Sequence, residues 1–465
     1  MSLHLVLEAV QWTFLAYFVL LDLIYLALSC VALFGLRRYM GGVSAAERVY
    51  SHLQMPVSLV VPAYNEGATI ATSIRALLQL RYQHFEVIIV NDGSTDDTLA
   101  VLQKEFELHP FPEAYRVQIR TQPVRGIYRS LKHPNLRVID KENGGKADSI
   151  NAGINAARYP LFYAGDADSV LEPNSLARVV RPFLEDPHMV ACGGTVRIIN
   201  GCTVRGGVIE QVRLPRSPLA LVQVVEYLRA FLGGRIGWSA INGMLIVSGA
   251  FGVFHRETVV AVDGFRADAI GEDMELIVRL HRKLSEQGRR YRISFIPDPV
   301  CWTEVPEDLG TLARQRRRWH RGLAESLWSN RKLCFARHSG TAGWLAFPYF
   351  VLFELLSPVV EIGGLMFMAL AFALGIMSRN SFLAFLAAAF ALGVMLSTTA
   401  LLLEELSFHT YPKARHLSAL FAVAVLENFG YRQITSYWRL QALFGWLARR
   451  PVEWGVMKRK ADWQQ

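Results

Sequence analysis

Val57-Ser58-Leu59-Val60-Val61-Pro62-Ala63-Tyr64-Asn65-Glu66 decides the fold. Its first five residues read as a strand buried on both faces, because four are apolar and three are β-branched. Pro62 through Glu66 ends that run. Residues 67–80 follow with apolar side chains at Ile70, Ile74, Leu77 and Leu78, the spacing of one helix face. A second β-branched run, 85–90, stops at Asn91-Asp92-Gly93-Ser94. Ser94 or Thr95 is placed to cap a helix beginning near Asp96.

The same alternation continues. Residues 136–139 form a third strand candidate, and Asn143-Gly144-Gly145-Lys146 leads into a helix over 147–157. Residues 160–164 form a fourth, ended by Gly165-Asp166-Ala167-Asp168-Ser169. Alternating strands and helices predict an α/β fold with a mostly parallel sheet flanked by helices. Ligands of such sheets bind at the carboxyl ends of the strands. Asn65 and Glu66, Asp92, and Asp166 with Asp168 all fall at those ends. Two carboxylates on one turn suit a divalent cation, because Mg²⁺ takes one or two carboxylates plus substrate phosphates. An Asx turn explains the same pair without a metal.

Residues 189–198 read as a further strand. An insertion at 205–237 carries an amphipathic helix around 219–232. Its arginines and Trp238 suit an acceptor, a membrane surface or plain packing. Ser248-Gly249-Ala250 permits close backbone approach, and Ser248 and Gly249 are assigned to acceptor contact, with Phe251 and Phe254 in the core. Glu272-Asp273 opens a segment in which Met274, Leu276, Ile277 and Leu280 follow helical spacing. The carboxylates therefore sit at a helix start, where the dipole favours an anion. Charge complementarity alone accounts for that placement. An ionised Asp273 beside a substrate hydroxyl would instead be a general base. On a helix over 309–328, Gln315, Arg318, Trp319 and Gly322 share neighbouring faces. Arginine can hold phosphate bidentately and tryptophan offers a flat face to a sugar. Arg316, Arg317 and Arg321 suit anionic lipid headgroups.

The 465 residues are 52% apolar, and mean hydropathy is positive. The apolar residues concentrate at 12–36, 345–377 and 382–403, each long enough to cross a hydrocarbon core of roughly 30 Å. The expected layout is an N-terminal transmembrane helix at 1–40 and a soluble domain at 51–338. Interfacial and transmembrane helices follow at 341–440, then a basic tail at 441–465. The first helix reads as retained rather than cleaved: it has no basic n-region and no small-x-small site. Arg37 and Arg38 place its C-terminal end, and so the soluble domain, in the cytoplasm. Asp22 lies inside that helix, facing either a local partner such as Tyr25, a C-terminal helix, or a polar path. Residues 343–356 read as interfacial, 358–377 and 382–403 as a membrane hairpin, and 417–437 as an interfacial helix. The net charge of +9 has two sources, positive residues flanking apolar segments and an anionic substrate. Those flanking residues include Lys413, Arg415, Arg449, Arg450, Lys458, Arg459 and Lys460. No basic stripe with interleaved aromatics extends beyond 314–321, which argues against nucleic acid. Five scattered cysteines, at 30, 192, 202, 301 and 334, fit neither a disulfide framework nor a zinc site.

Taken in order, Asp92, Asp166-x-Asp168, Glu272-Asp273 and Gln315-x-x-Arg318-Trp319 resemble the inverting family-two glycosyltransferases of the membrane polysaccharide-synthase type. That group includes cellulose, hyaluronan, chitin-oligosaccharide and poly-N-acetylglucosamine synthases. Pro62-x-Tyr64-Asn65-Glu66 and Gly145-Lys146-Ala147 match its pattern too, while Asn91 stands where the family often has Asp. The resemblance implies a GT-A-like fold, a UDP-sugar donor and a hexosyltransferase activity. It implies that Tyr64, Glu66 and Asp92 contact the uridine and that Lys146 lies near the nucleotide. Asp166 would contact the donor, with Asp168 ligating Mg²⁺ or Mn²⁺. Asp273 would be the catalytic base, and Gln315, Arg318 and Trp319 would hold the diphosphate and the acceptor end. Expected partners are a growing glycan or lipid-linked acceptor, the lipid bilayer and accessory export subunits. The expected location is the inner (plasma) membrane, multi-pass, with the catalytic domain cytoplasmic. Two alternatives stay open: transfer of one sugar to a lipid carrier, and non-catalytic binding of a nucleotide sugar.

Overall fold

The computed structural model describes residues 3–50, 53–411 and 413–450, with side chains of the first helix described over 10–41. Lys458, Arg459 and Lys460 lie outside the described residues. The region between the first helix and residue 338 carries strands β1 (Val57–Ala63), β2 (Phe85–Asp92), β3 (Leu108–Pro110), β4 (Val124–Ser130), β5 (Leu136–Lys141) and β6 (Leu161–Ala164). After them come β7 (Val170–Leu171), β8 (Met189–Ile198), β9 (Thr203–Arg205), β10 (Val208–Gln211), β11 (Gly252–His255) and β12 (Arg292–Thr303). All but β9 and β10 join one sheet, in the order β3-β4-β5-β2-β1-β6-β11-β8-β12-β7.

The parallel core is β5-β2-β1-β6. β11 is antiparallel to both β6 and β8, so β8 runs in the direction of β6, and β12 runs parallel to β8. The carboxyl ends of β1, β2, β5 and β6 therefore form one edge, as a doubly wound sheet requires. Val57, Leu59, Val60, Ile88, Ile89 and Leu161 are fully buried, which explains why their runs are apolar without alternation. β1 continues through Pro62 to Ala63, slightly past the sequence-based limit.

Helix α1 spans Leu3–Tyr50, and α2 (Ile70–Leu78) and α3 (Thr98–Glu105) flank the first strands. Neither Ser94 nor Thr95 caps α3. Asp96 Oδ1 accepts from the Thr98 N–H at 3.0 Å, while Ser94 Oγ accepts from the Asn65 N–H at 3.0 Å. Then come α4 (Lys146–Ala156), α5 (Ser175–Glu185) and α6 (Pro218–Leu228). The last runs through a π-helical turn, Arg229–Arg235, into α7 (Ile236–Ala240). Helices α8 (Arg256–Val260), α9 (Glu272–Glu286) and α10 (Leu309–Ser329) follow.

Among the described residues, Val10–Gly41 is long and apolar enough to cross a membrane. One face of it, with Trp12, Leu15, Leu23 and Phe34, has no protein cover, while Leu28, Ala32 and Leu36 are buried. Ala342–Leu355, which contains the short α11 (Phe347–Tyr349), meets α12 (Ser357–Ala373) at a 44° bend and is the other candidate span. Then follow α13 (Arg379–Ser407), α14 (Ala414–Leu426) and α15 (Tyr431–Leu447). The 417–437 segment is thus two helices rather than one. Gly430, at φ 92°, turns the chain between them, a conformation that favours glycine. Tyr25 is not the partner of Asp22: its hydroxyl donates to Glu354 at 3.1 Å. Trp238 is buried against Tyr349, so it packs rather than facing a surface.

Candidate active site

The loops leaving β1 and β2 are laced together. Asn65 takes a positive φ of 54°, which aims its side-chain oxygen at the second loop, where it accepts from the Thr95 N–H at 2.8 Å. The Glu66 N–H donates to Thr98 Oγ1 at 2.9 Å, and the Glu66 carboxylate accepts from Thr69 Oγ1 at 2.7 Å. Tyr64 stands half-exposed at this mouth. Asp92 is placed differently from its neighbours. It is 3% exposed, and Lys141 Nζ and the Gly144 N–H donate to Oδ1 at 2.6 and 2.9 Å. The Gly145 N–H and Asn143 Nδ2 donate to Oδ2 at 2.8 and 3.2 Å. These contacts tie the loop that leads into α4 to the end of β2.

That loop delivers Lys146 to the centre of the site. Its Nζ lies 2.5 Å from Asp166 Oδ1 and 3.5 Å from Glu272 Oε1, and it donates to the Gly249 carbonyl at 3.2 Å. Burial opposes the ammonium charge, but Asp166, Glu272 and Asp273 outweigh it and hold the pKa above the ordinary lysine value. Burial also raises the pKa of Glu272, with Lys146 the cation that opposes the rise. Asp273 Oδ2 accepts from the Gly249 N–H and Oδ1 from the Met274 N–H, each at 2.8 Å. Lys146, Asp166, Gly249, Glu272 and Asp273, drawn from four separated stretches of sequence, thus form one connected group. Ser248 sits half-buried beside it.

Asp168 is buried on the Asp166 turn. Among the described residues no three or more His, Cys, Asp or Glu side chains gather as a metal-binding group. Two carboxylates on one turn fit a cation whose other ligands are phosphate oxygens and waters, the usual case for Mg²⁺ at phosphate sites.

Helix α10 reaches the group through backbone contact. A Cβ added at Gly322 would lie 3.0 Å from both the Cα and the N of Gly271, so the start of α9 and the middle of α10 touch without side chains between them. Trp319 is 43% exposed, and Arg318 and Arg317 are exposed beside it. Gln315 Oε1 is shut off from solvent and accepts no hydrogen bond. Arg316 is not a lipid-facing residue. It is buried, its Nη2 donates to Glu226 at 2.7 Å, and its guanidinium lies 4.5 Å from the Trp319 ring. Tyr431 of α15 donates to the same Glu226 carboxylate at 2.9 Å. Arg321 is drawn inward too, 3.2 Å from Glu325.

One arginine of the 205–237 insertion, not singled out by the sequence, lies beside this group. Arg235 ends the π-helical turn with its guanidinium stacked 4.0 Å over Phe231, and its Nη1 is buried without a hydrogen-bond partner. Burial lowers its pKa to about 10, and Asp273 is the first charge that counters this. The Gly233-Gly234 pair before it was the available signal, since π turns recur at functional sites.

Carboxylates at the carboxyl edge of a parallel core, crossed by a helix carrying Gln, Arg and Trp, define the nucleotide-binding class of α/β domain. The comparisons name the family. The model "Glycosyl transferase family 2" matches residues 58–226, and "Glycosyl transferase family group 2" matches residues 162–398, just over half of the chain. The chain belongs to this glycosyltransferase family. A poly-beta-1,6-N-acetyl-D-glucosamine synthase of Staphylococcus aureus (strain COL) is 30% identical over 271 residues, covering 58% of this chain and 55% of that one. The synthase of the same name from Staphylococcus epidermidis is 28% identical over 281 residues, covering 59% and 57%. The chain thus spans little more than half the length of these curated relatives. The solved mannosyltransferase of Pyrobaculum calidifontis, in complex with GDP-Man and Mn²⁺, is similar in fold. It has a TM-score of 0.50 at 19% identity and covers 87% of this chain and 99% of that one.

Proposed function

We propose that the chain is an inverting glycosyltransferase that moves a sugar from a UDP-sugar to the end of a glycan, extending a β-linked polysaccharide at the membrane. The observation that carries this reading is the position of Asp273. Its carboxylate opens α9, is fixed by the Gly249 N–H, and lies in one group with Lys146 and Asp166. The Staphylococcus relatives' name adds N-acetylglucosamine as the first sugar to test.

Each Asp273 oxygen accepts one backbone N–H and keeps a lone pair free for a proton. The acceptor hydroxyl gives its proton to Asp273 as its oxygen attacks the anomeric carbon. The bond from that carbon to the UDP oxygen breaks, and UDP leaves with the electron pair. Lys146 and Arg318 are the residues assigned to stabilise the leaving diphosphate, a stabilisation of the kind that often dominates transfer chemistry. Mg²⁺ or Mn²⁺ held by Asp168 and Asp166 would supply further neutralisation of that charge. Tyr64 and Glu66 face the nucleoside end, with Asp92 holding the loop that carries Lys146. Trp319 offers its exposed face to the acceptor sugar, and the unsatisfied Gln315 oxygen suits a hydroxyl donor. The soluble domain lies in the cytoplasm, where UDP-sugars are available, and Val10–Gly41 anchors it.

The test is UDP release from membranes containing the full chain, screened over UDP-N-acetylglucosamine, UDP-glucose and UDP-galactose, with product sizing. Release with one of them, together with a polymeric product, supports the reading. Release with none, or a single-sugar lipid as the only product, contradicts it.

A further inference from the structure

A cleft of about 580 Å³ lies at the other end of the sheet. Four chain segments enclose it: 186–188 before β8, 240–242 at the end of α7, 289–292 leading into β12, and 338–341 ahead of the broken helix. β8 and β12 start here and run toward the far edge. Because β8 points the same way as β6, this is the amino end of the sheet, opposite the Asp166 turn.

The walls are tied to one another. The Arg292 N–H donates to the His188 carbonyl at 2.8 Å, and Asn242 Nδ2 donates to the Tyr291 carbonyl at 3.2 Å. The Ile293 N–H donates to Asn242 Oδ1 at 2.9 Å, and Thr341 Oγ1 donates to the Ile241 carbonyl. Arg289, Arg290 and Arg292 line this space, and all three are exposed. Among the described residues none of the three forms an ion pair with a carboxylate. The one acid in the lining, Asp186, is already 3.1 Å from His188 Nδ1. His338 adds a second imidazole.

Three arginines and a single carboxylate in one lining leave an excess of positive charge there, and a polyvalent oxyanion is what offsets it. Arginine's planar fork matches phosphate oxygens bidentately. We propose that this cavity is a phosphate-binding site, separate from the donor site. The phosphate could belong to a lipid headgroup or to a soluble ion. The fourth wall runs directly into Ala342–Leu355, where Trp344 and Leu345 are exposed, a combination suited to a headgroup layer.

The experiment titrates the full chain in neutral detergent and follows its Tm. Inorganic phosphate forms one arm and short-chain phosphatidylglycerol the other, with sodium chloride at matched ionic strength as control. Saturable stabilisation by one of the two supports the site, and the arm that responds identifies the source. Arg289→Gln and Arg292→Gln should each weaken the apparent affinity about tenfold, the loss of one charged hydrogen bond. Arg289→Lys and Arg292→Lys keep the charge but not the fork, so each should lose less affinity than its Gln counterpart, which separates lost binding from a folding defect. No response in either arm, a response that chloride reproduces, or identical titrations in wild type and the Gln variants overturns the proposal.

Discussion

Gly249 and Asp273 are joined by a 2.8 Å hydrogen bond in which the glycine N–H donates to carboxylate Oδ2. The carbonyl of the same glycine accepts from Lys146 Nζ at 3.2 Å. One residue without a side chain thus sets the distance between the two charged groups the proposed chemistry uses. A Cβ at Gly249 would lie 3.2 Å from Lys146 Nζ and 3.3 Å from Asp273 Oδ2. Gly249→Ala should therefore displace Asp273 by a few tenths of an ångström while the fold survives. We expect kcat for UDP release to fall about tenfold to a hundredfold, the scale of a misplaced reacting group, with donor KM little changed. An unaltered kcat would show that the spacing does not matter.

The Gly271–Gly322 crossing should be less forgiving. Its contact is backbone on backbone, so a methyl at Gly322 has no flexible neighbour to push aside. Gly322→Ala forces α10 away from α9, at a cost of about 1–3 kcal/mol as for other overpacked interiors. The expected outcome is a lower Tm together with lost transfer, because Trp319 and Gln315 ride on α10. Loss of activity at full Tm would mean that the crossing tunes the site without holding the helices.

Lys146 separates Asp166 from Glu272. Burial already raises the Glu272 pKa, and Lys146 is the cation restraining it. With Lys146→Gln that restraint goes, and Glu272 keeps its proton to higher pH. The acid limb of the pH–rate profile should move upward and the maximal rate should fall at least about tenfold. Lys146→Arg should recover part of both. A profile that drops in height without moving would remove the electrostatic role.

His281 gives a pH signature in stability. It is fully buried on α9, with Nε2 2.9 Å from the Met244 carbonyl and Nδ1 2.8 Å from the Tyr291 hydroxyl. A carbonyl can only accept, so Nε2 carries a hydrogen, and in the neutral ring Nδ1 then accepts from the Tyr291 hydroxyl. Burial lowers its pKa to about 4 from the usual 6.5. The unfolded chain binds a proton near pH 6.5 that the folded chain refuses. The stability linked to this group is therefore complete above about 6.5 and disappears as pH falls toward 4. It amounts to about 3 kcal/mol. Between pH 7.5 and 5 the Tm of the wild type should drop more than that of His281→Gln. Equal drops would place the acid sensitivity elsewhere.

Much of this was readable in the chain. β1, β2, β6, α4, α9 and α10 carry strong periodicities and end in polar turns, so their carboxyl-edge loops are legible in the sequence. β12 was not legible, because Pro297 and Pro299 interrupt its apolar pattern and the ladder shifts register there. Nor was the α14–α15 break, since one glycine inside an apolar run says little about the fold. The site divided in the same way. Residue type marked Lys146, Asp166 and Asp273, but whether a charge faces a ligand or a neighbour depends on distant segments. Glu226 claims Arg316, and the Asn143-Gly144-Gly145 turn claims Asp92. Neither pairing has any trace in local sequence.

The most direct measurement of the central claim uses Asp273→Asn. The substitution keeps the side chain's shape and can still accept the Gly249 N–H through its amide oxygen, but it has no carboxylate to take a proton. Donor binding, followed by UDP-sugar protection of the full chain against thermal unfolding, should remain within about threefold of wild type, whereas UDP release and polymer formation should fall by at least about a thousandfold, near the loss of a general base. Polymer synthesis at wild-type rate by Asp273→Asn would contradict the account.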